Sequence, residues 1–139
     1  MTQTRTEDKR DGAGRKPDWI RVRLSGGRDF NAVGNLIRDR KLHTVCESAM
    51  CPNIHECWGC HRTATFMILG DICTRNCRFC AVETGRPDAV DDREPARLGE
   101  AVRTMGLRHA VVTMVTRDDL SDGGAGAVAE AVRAIRAAA

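Results

Sequence analysis

The sequence predicts an α/β fold: two parallel strands, each followed by a helix, behind a cysteine-rich N-terminal extension. Two observations predict it. Short continuous apolar runs at Thr65–Leu69 and Ala110–Val115 are each followed by a loop and then by apolar residues at helical spacing. That order, strand–helix–strand–helix, gives a parallel sheet with right-handed crossovers. The second observation is that all seven cysteines lie between Cys46 and Cys80, and none follows.

Residues 1–16 are rich in charge and glycine and carry too little apolar surface to offset ordering entropy, so a disordered tail is expected. Pro17 to Leu24 reads as a short extended segment ending at Ser25-Gly26-Gly27. Phe30, Val33, Leu36 and Ile37 recur at helical spacing and predict an amphipathic helix over 29–41. Residues 44–62 hold four cysteines with Pro and Gly and show no period; they read as an irregular loop shaped by ligation rather than by core packing. Thr65–Leu69, bounded by Gly70-Asp71, has the length of a buried parallel strand. A tight loop with three cysteines follows over 71–80, then a polar connection containing Gly85 and Pro87. Glu94-Pro95 opens a helix, since Pro suits a first turn and the acids Asp92 and Glu94 suit its positive end. Leu98, Ala101, Val102 and Met105 form its buried stripe and Gly106 its C-cap. Ala110–Val115 reads as a second buried strand, Thr116 to Gly126 as a loop of Asp and Gly, and Val128, Ala131, Val132 and Ile135 as the stripe of a last helix. Two strands are too few for a closed barrel or a doubly wound sheet. The second strand would keep an exposed edge, so a truncated chain, or something that covers this edge, is expected.

Charged residues make up 29% and apolar ones 42% of the 139 residues, as in a soluble globular domain or a piece of one. The net charge of +3 is spread over scattered Lys and Arg, which argues against a nucleic-acid partner. No apolar run reaches the length of a membrane span, and the polar N-terminus has no signal-peptide core. A cytoplasmic protein is therefore expected. An odd number of cysteines in such a chain argues for metal or cluster ligation over a disulfide framework.

Cys73-x3-Cys77-x2-Cys80 follows directly on the first strand, where β/α barrels build their sites. Three thiolates on one loop can hold three irons of a cubane cluster and leave the fourth open. An open iron is what the amino and carboxylate groups of S-adenosylmethionine need, and the cofactor then carries the hard chemistry. The competing reading is structural zinc, which favours four closed ligands, commonly from paired C-x2-C units. The triplet, with Phe79 before its last Cys, resembles the signature of the radical S-adenosylmethionine superfamily.

A second triplet, Cys46-x4-Cys51-x5-Cys57, stands upstream. With Glu56-Cys57-Trp58, Thr63–Asp71, Gly85-Arg86-Pro87, Val111-Val112-Thr113 and Arg117–Ala125, and with Lys16–Val22 and Leu42–Val45 upstream, it closely resembles lipoyl synthase over residues 16–139. The resemblance implies a radical S-adenosylmethionine fold, a (β/α) TIM-type barrel of which this chain would hold only the start. The implied division is a tail over 1–16, an extension with the auxiliary cluster loop over 17–62, and two β/α units over 63–139.

It implies, further, two 4Fe-4S clusters: Cys73, Cys77 and Cys80 for the one that chelates S-adenosylmethionine, and Cys46, Cys51 and Cys57 for an auxiliary one consumed as sulfur donor. The implied activity is radical insertion of two sulfur atoms into an octanoyl chain carried on a lysine of a lipoyl carrier domain. Partners would be octanoylated carrier proteins, an electron donor and iron–sulfur carrier proteins, with no nucleic acid and no membrane. The family's fourth auxiliary ligand is a serine from a C-terminal region that this sequence does not contain. A chain unable to turn over alone is accordingly the alternative within the family, and a zinc-binding module the alternative outside it. Met114 and Thr116 stand where the family more often has small or acidic residues.

Other residues have two readings each. Cys60, outside both triplets, is a surface thiol or a substitute ligand. His43, His55, His61 and His109 read as loop or packing histidines rather than metal ligands. Asp118, Asp119 and Asp122 either touch ribose or substrate or form turns beside Gly123-Gly124. Arg75 and Arg78 either raise the potential of a nearby cluster or are solvated. Trp58 reads as packing around the cluster loop.

Overall fold

A computed structural model describes residues 27–138. The expected tail and the extended segment from Pro17 to Leu24 lie outside the described residues. The rest is a mixed α/β fold with two small sheets.

Helix α1 spans Arg28–Asp39, shorter at its end than the expected 29–41, because Lys41 takes a left-handed φ of 50°. It buries Val33 and Ile37. Strand β1 (His43–Thr44), which the sequence did not announce, runs antiparallel to β2 (Thr63–Ile68), with Thr44 opposite Phe66. Between them, the stretch expected to be an irregular loop is helical: α2 (Val45–Ser48), α3 (Ile54–Glu56) and a π-helical turn over Cys57–His61. Its last turn packs on the core. Trp58 is 2% exposed, and Phe30 stacks on both Trp58 and His55, with ring centroids 5.5 and 4.2 Å away. Aromatic burial of this size outweighs the missing sequence period.

Strand β2 is buried on both faces toward its end, as its apolar run requires. Beyond it, β3 (Ile72–Cys73) and β4 (Glu83–Thr84) form a separate parallel pair, also unannounced, since two-residue strands carry no pattern. Helix α4 (Glu94–Met105) follows the expected stripe and ends on Gly106, whose φ of 57° and ψ of 41° make the left-handed cap. Strand β5 (His109–Met114) pairs with β2 in parallel, from Thr63 opposite His109 to Ile68 opposite Met114. It is not the buried strand expected from its apolar run. Its residues alternate, with Val111 49% exposed, because no element among the described residues covers that face. The sheet order β1-β2-β5 leaves the outer edge of β5 open among the described residues. Helix α5 (Ala125–Ala138) packs on α4, burying Ala131 against a core that includes Leu98 and Ala101. No described helix is long and apolar enough to cross a membrane.

One acid has a role the sequence reading missed. Glu94, at the start of α4, is 7% exposed, and its Oε2 accepts the N–H of Leu69 at 2.8 Å. Leu69 needs the partner: its φ of 69° takes the chain out of the sheet, so its N–H is not on the ladder. Burial pushes the Glu94 carboxyl above its ordinary 4.5, more than the Leu69 N–H, His43 and Arg97 pull it down.

Two outcomes are expected. Gly99 faces the Ala134 carbonyl oxygen, which an added Cβ would meet at 2.8 Å. Gly99→Ala should therefore lower stability by about 1–3 kcal/mol despite its better helix propensity, read as a lower Tm; an unchanged or higher Tm would refute the tight α4–α5 contact. For Glu94, a folded pKa above the unfolded one means the folded state holds the proton more tightly, so stability falls as pH rises from the ordinary value through the folded one. Glu94→Gln keeps the acceptor and removes the charge. Its stability relative to the parent, by urea unfolding, should grow as pH rises above the ordinary carboxylate value; parallel curves would contradict the assignment.

Candidate iron–sulfur site

The first cysteine loop is closed by its own small sheet. Cys73 lies opposite Thr84, and Gly85 donates its N–H to the Cys73 carbonyl at 3.0 Å. Inside the loop the Cys80 N–H reaches the Cys77 carbonyl at 3.0 Å, closing a turn. Cys73 is half-buried, whereas Cys77 and Cys80 are exposed and Phe79 between them is 94% exposed. The Cys73 Sγ accepts two backbone N–H groups, from Thr116 at 3.3 Å and from Arg75 at 3.5 Å. Burial pushes this thiol up, but the hydrogen bonds from Arg75 and Thr116 outweigh it and hold it below the ordinary thiol range.

The loop is stapled to the one that follows β5. Thr74 donates its N–H to the Thr116 carbonyl at 3.1 Å. Arg75 grips Asp118 through two bonds, Nε to Oδ2 at 2.8 Å and a terminal nitrogen to Oδ1 at 2.6 Å. Arg75 is therefore tied to Asp118, and Asp118 is committed to the loop that carries Cys73 rather than to a turn. Next to it, Arg117 is 3% exposed and bound in fork geometry to Asp119 at 2.8 and 2.7 Å. Asp122 accepts the N–H groups of Gly124 and Gly126 at 2.9 and 2.8 Å, which makes it the turn former at the start of α5. Thr74, the Thr116 N–H on Cys73 and the burial of Arg117 were missed by sequence reasoning. A Thr beside a cysteine was visible, but its partner is more than forty residues away in the chain, beyond any local pattern.

Of the second triplet, Cys46 lies on α2, Cys51 in the link between α2 and α3, and Cys57 at the start of the π-helical turn that packs on α1. Thr44 caps α2, accepting the Glu47 N–H at 3.3 Å, and the Cys51 N–H reaches the Cys46 carbonyl at 3.0 Å. Cys46, Cys51 and Cys57 are all half-buried, and Cys60 on the same π-helical turn as Cys57 is exposed. Burial pushes the Cys57 thiol above its ordinary value, and the neighbouring Cys46 and Cys51 push it further. Trp58 is buried directly behind Cys57. Of the histidines, His55 stacks on Phe30, His61 lies 3.2 Å from Glu56, and His43 lies 3.8 Å from Asp71. His109 is exposed at the start of β5.

The donor sets fit iron–sulfur clusters on their chemistry. Among the described residues, no three His, Cys, Asp or Glu side chains converge as a single ion requires. A cubane does not ask for that convergence, because each thiolate binds a different iron. The N–H groups on the Cys73 Sγ favour the thiolate such a cluster needs. Cys57, pushed up by burial and by its cysteine neighbours, is a thiol whose deprotonation cationic iron would favour.

A family model described as the N-terminal domain of lipoyl synthase of the radical SAM family matches residues 2–51. The lipoyl synthase of Shouchella clausii is 57% identical over 130 residues, covering 94% of this chain and 42% of that protein. That of Geobacillus thermodenitrificans is 60% identical over 122 residues, covering 88% and 41%. That of Bacillus subtilis is 56% identical over 128 residues, covering 92% and 43%. The chain thus spans about two fifths of the length of these relatives, and across that span it belongs to the lipoyl synthase family.

Proposed function

We propose that this chain forms the cluster-bearing part of a lipoyl synthase, a sulfurtransferase that inserts two sulfur atoms into an octanoyl chain held on a lysine of a lipoyl carrier domain. The observation that carries the proposal is the placement of Cys73, Cys77 and Cys80 on one loop beyond the end of β2, locked to the loop beyond β5. In this reading, residues 63–139 are the first two β/α units of a radical SAM barrel, whose sites lie at that end of the strands. Residues 17–62 are an N-terminal extension carrying the auxiliary loop.

Cys73, Cys77 and Cys80 would hold a 4Fe-4S cluster that binds S-adenosylmethionine, and Cys46, Cys51 and Cys57 an auxiliary 4Fe-4S cluster. When bound, these groups supply the electron that cleaves S-adenosylmethionine and the sulfur that is inserted. The chain's own residues provide placement. The Thr116 and Arg75 N–H groups favour the thiolate form of Cys73, and Phe79 offers an exposed aromatic face beside Cys80. Trp58 and Phe30 support the turn that carries Cys57. Partners in this reading are octanoylated carrier proteins, an electron donor and iron–sulfur carrier proteins, in the cytoplasm. Scattered charge argues against nucleic acid. The open edge and exposed face of β5 favour one qualification: alone, this chain binds clusters without turning over.

Anaerobic reconstitution with iron and sulfide tests this. About eight irons per chain are expected if both triplets bind cubanes, and about four if only one does. Replacing Cys73, Cys77 and Cys80 together by Ala should remove about four of eight, while Cys60→Ser should remove none. Stoichiometric zinc without iron uptake would overturn the assignment in favour of a zinc-binding module. With octanoylated carrier protein and S-adenosylmethionine, the chain alone is expected to give no lipoyl product by mass spectrometry; product formation would refute the qualification.

A further inference from the structure

We propose that Asp118 is a positioning residue for the cluster that Cys73, Cys77 and Cys80 would hold: it locks the cluster loop so that the Thr116 amide stays on the Cys73 sulfur, and through that bond raises the cluster's electron affinity. The proposal rests on the cysteine assignment made above.

The carboxylate is used almost fully in this task. Oδ1 takes Arg75 at 2.6 Å, and Oδ2 takes Arg75 Nε at 2.8 Å and Thr74 Oγ1 at 2.9 Å. The Asp118 N–H in turn donates to Thr74 Oγ1 at 3.2 Å. The single proton of the Thr74 hydroxyl has two acceptors in reach, Asp118 and the Thr116 carbonyl at 3.0 Å, and the charged one is the stronger. Asp118 therefore holds both residues that follow Cys73. Between the same two loops the backbone makes a reciprocal pair, Thr74 N–H to the Thr116 carbonyl at 3.1 Å and Thr116 N–H to the Cys73 Sγ at 3.3 Å. On the other side, Thr84 Oγ1 donates to the Arg75 carbonyl at 3.2 Å.

This clamp is not there for global stability. Its ion pair is well exposed, 62% at Arg75 and 48% at Asp118, and exposed pairs contribute little to folding. Its consequence is local: it fixes an N–H dipole on a ligand sulfur. Hydrogen bonds to the sulfurs of an iron–sulfur centre stabilise the more negative, reduced form and raise its potential. Removing Asp118 alone would also release the Arg75 charge, with an opposing effect. The test therefore removes both partners and leaves net charge unchanged.

The Arg75→Ala/Asp118→Ala double variant is compared with the parent protein in two forms. Without cluster, the Thr116 amide should exchange with deuterium at least tenfold faster, with exchange in β2 and α4 unchanged. With cluster, the low-temperature EPR signal remaining after subtraction of the Cys73/Cys77/Cys80→Ala spectrum is titrated against potential. The reduced-to-oxidised ratio at a fixed potential should fall about tenfold, which is about 59 mV for one electron. A loaded double variant titrating at the parent's potential overturns the proposal and leaves the cysteine assignment standing. If the parent binds no iron through these cysteines, the assignment fails and the proposal with it. If the double variant does not retain iron, Thr74→Val, which keeps the ion pair, decides by the same titration: a lowered potential supports the clamp and an unchanged one refutes it.

Discussion

Because β2 and β5 run parallel from Thr63 opposite His109 to Ile68 opposite Met114, both chains leave the sheet at the same end and the same height. The loop that carries Cys73 and the loop that begins at Thr116 are thereby adjacent before any side chain acts. Everything specific to the site is built on that adjacency: the Thr116 N–H on the Cys73 sulfur, the Thr74–Thr116 backbone bond and the Arg75–Asp118 fork. A shift of one residue would turn the side chains of β5 to the opposite face and bring other residues opposite Cys73.

The turn out of β2 is the costly part of this arrangement. Leu69 is buried with a left-handed φ, a conformation that costs of order 1–3 kcal/mol and persists only when its surroundings over-determine it. Two buried ionisable groups do so. Glu94 takes its N–H at 2.8 Å, and Arg117, fixed by Asp119, lies 3.5 Å from its carbonyl. The charges near the cysteine loop are thus engaged in shaping backbone, which is why Arg75, Arg117 and Asp118 read better as framework than as chemistry.

One cysteine of each triplet is shifted, and the two shifts run in opposite directions. Cys73 is held below the ordinary thiol range by N–H donors that outweigh its burial, while Cys57 is pushed above it by burial and by Cys46 and Cys51. At Cys73 the N–H donors favour the thiolate, whereas at Cys57 burial favours the thiol. This difference fits a first loop that is partly exposed and a second that lies against the core beside Trp58 and Phe30.

The amino-acid sequence by itself determined the parts that depend on local pattern and on spacing. These are the buried run of β2, the stripe and glycine cap of α4, the last helix, the two cysteine triplets, and through them the family. Tertiary structure decided the rest, and for one physical reason: the interactions involved join residues far apart in the chain, where no period or spacing records them. Residues 44–62 have no helical period, yet most of them form short helical turns, the last of which packs its Trp58 against Phe30 of α1. The apolar run of β5 reads as a buried strand, yet Val111 is exposed, since exposure depends on what lies opposite. Glu94 reads as a helix-start acid and is instead the partner of Leu69. Asp118 was one of three similar acids in a glycine-rich loop. Only the register of β2 and β5 brings it to Thr74 and Arg75 and leaves Asp122 to cap the following helix.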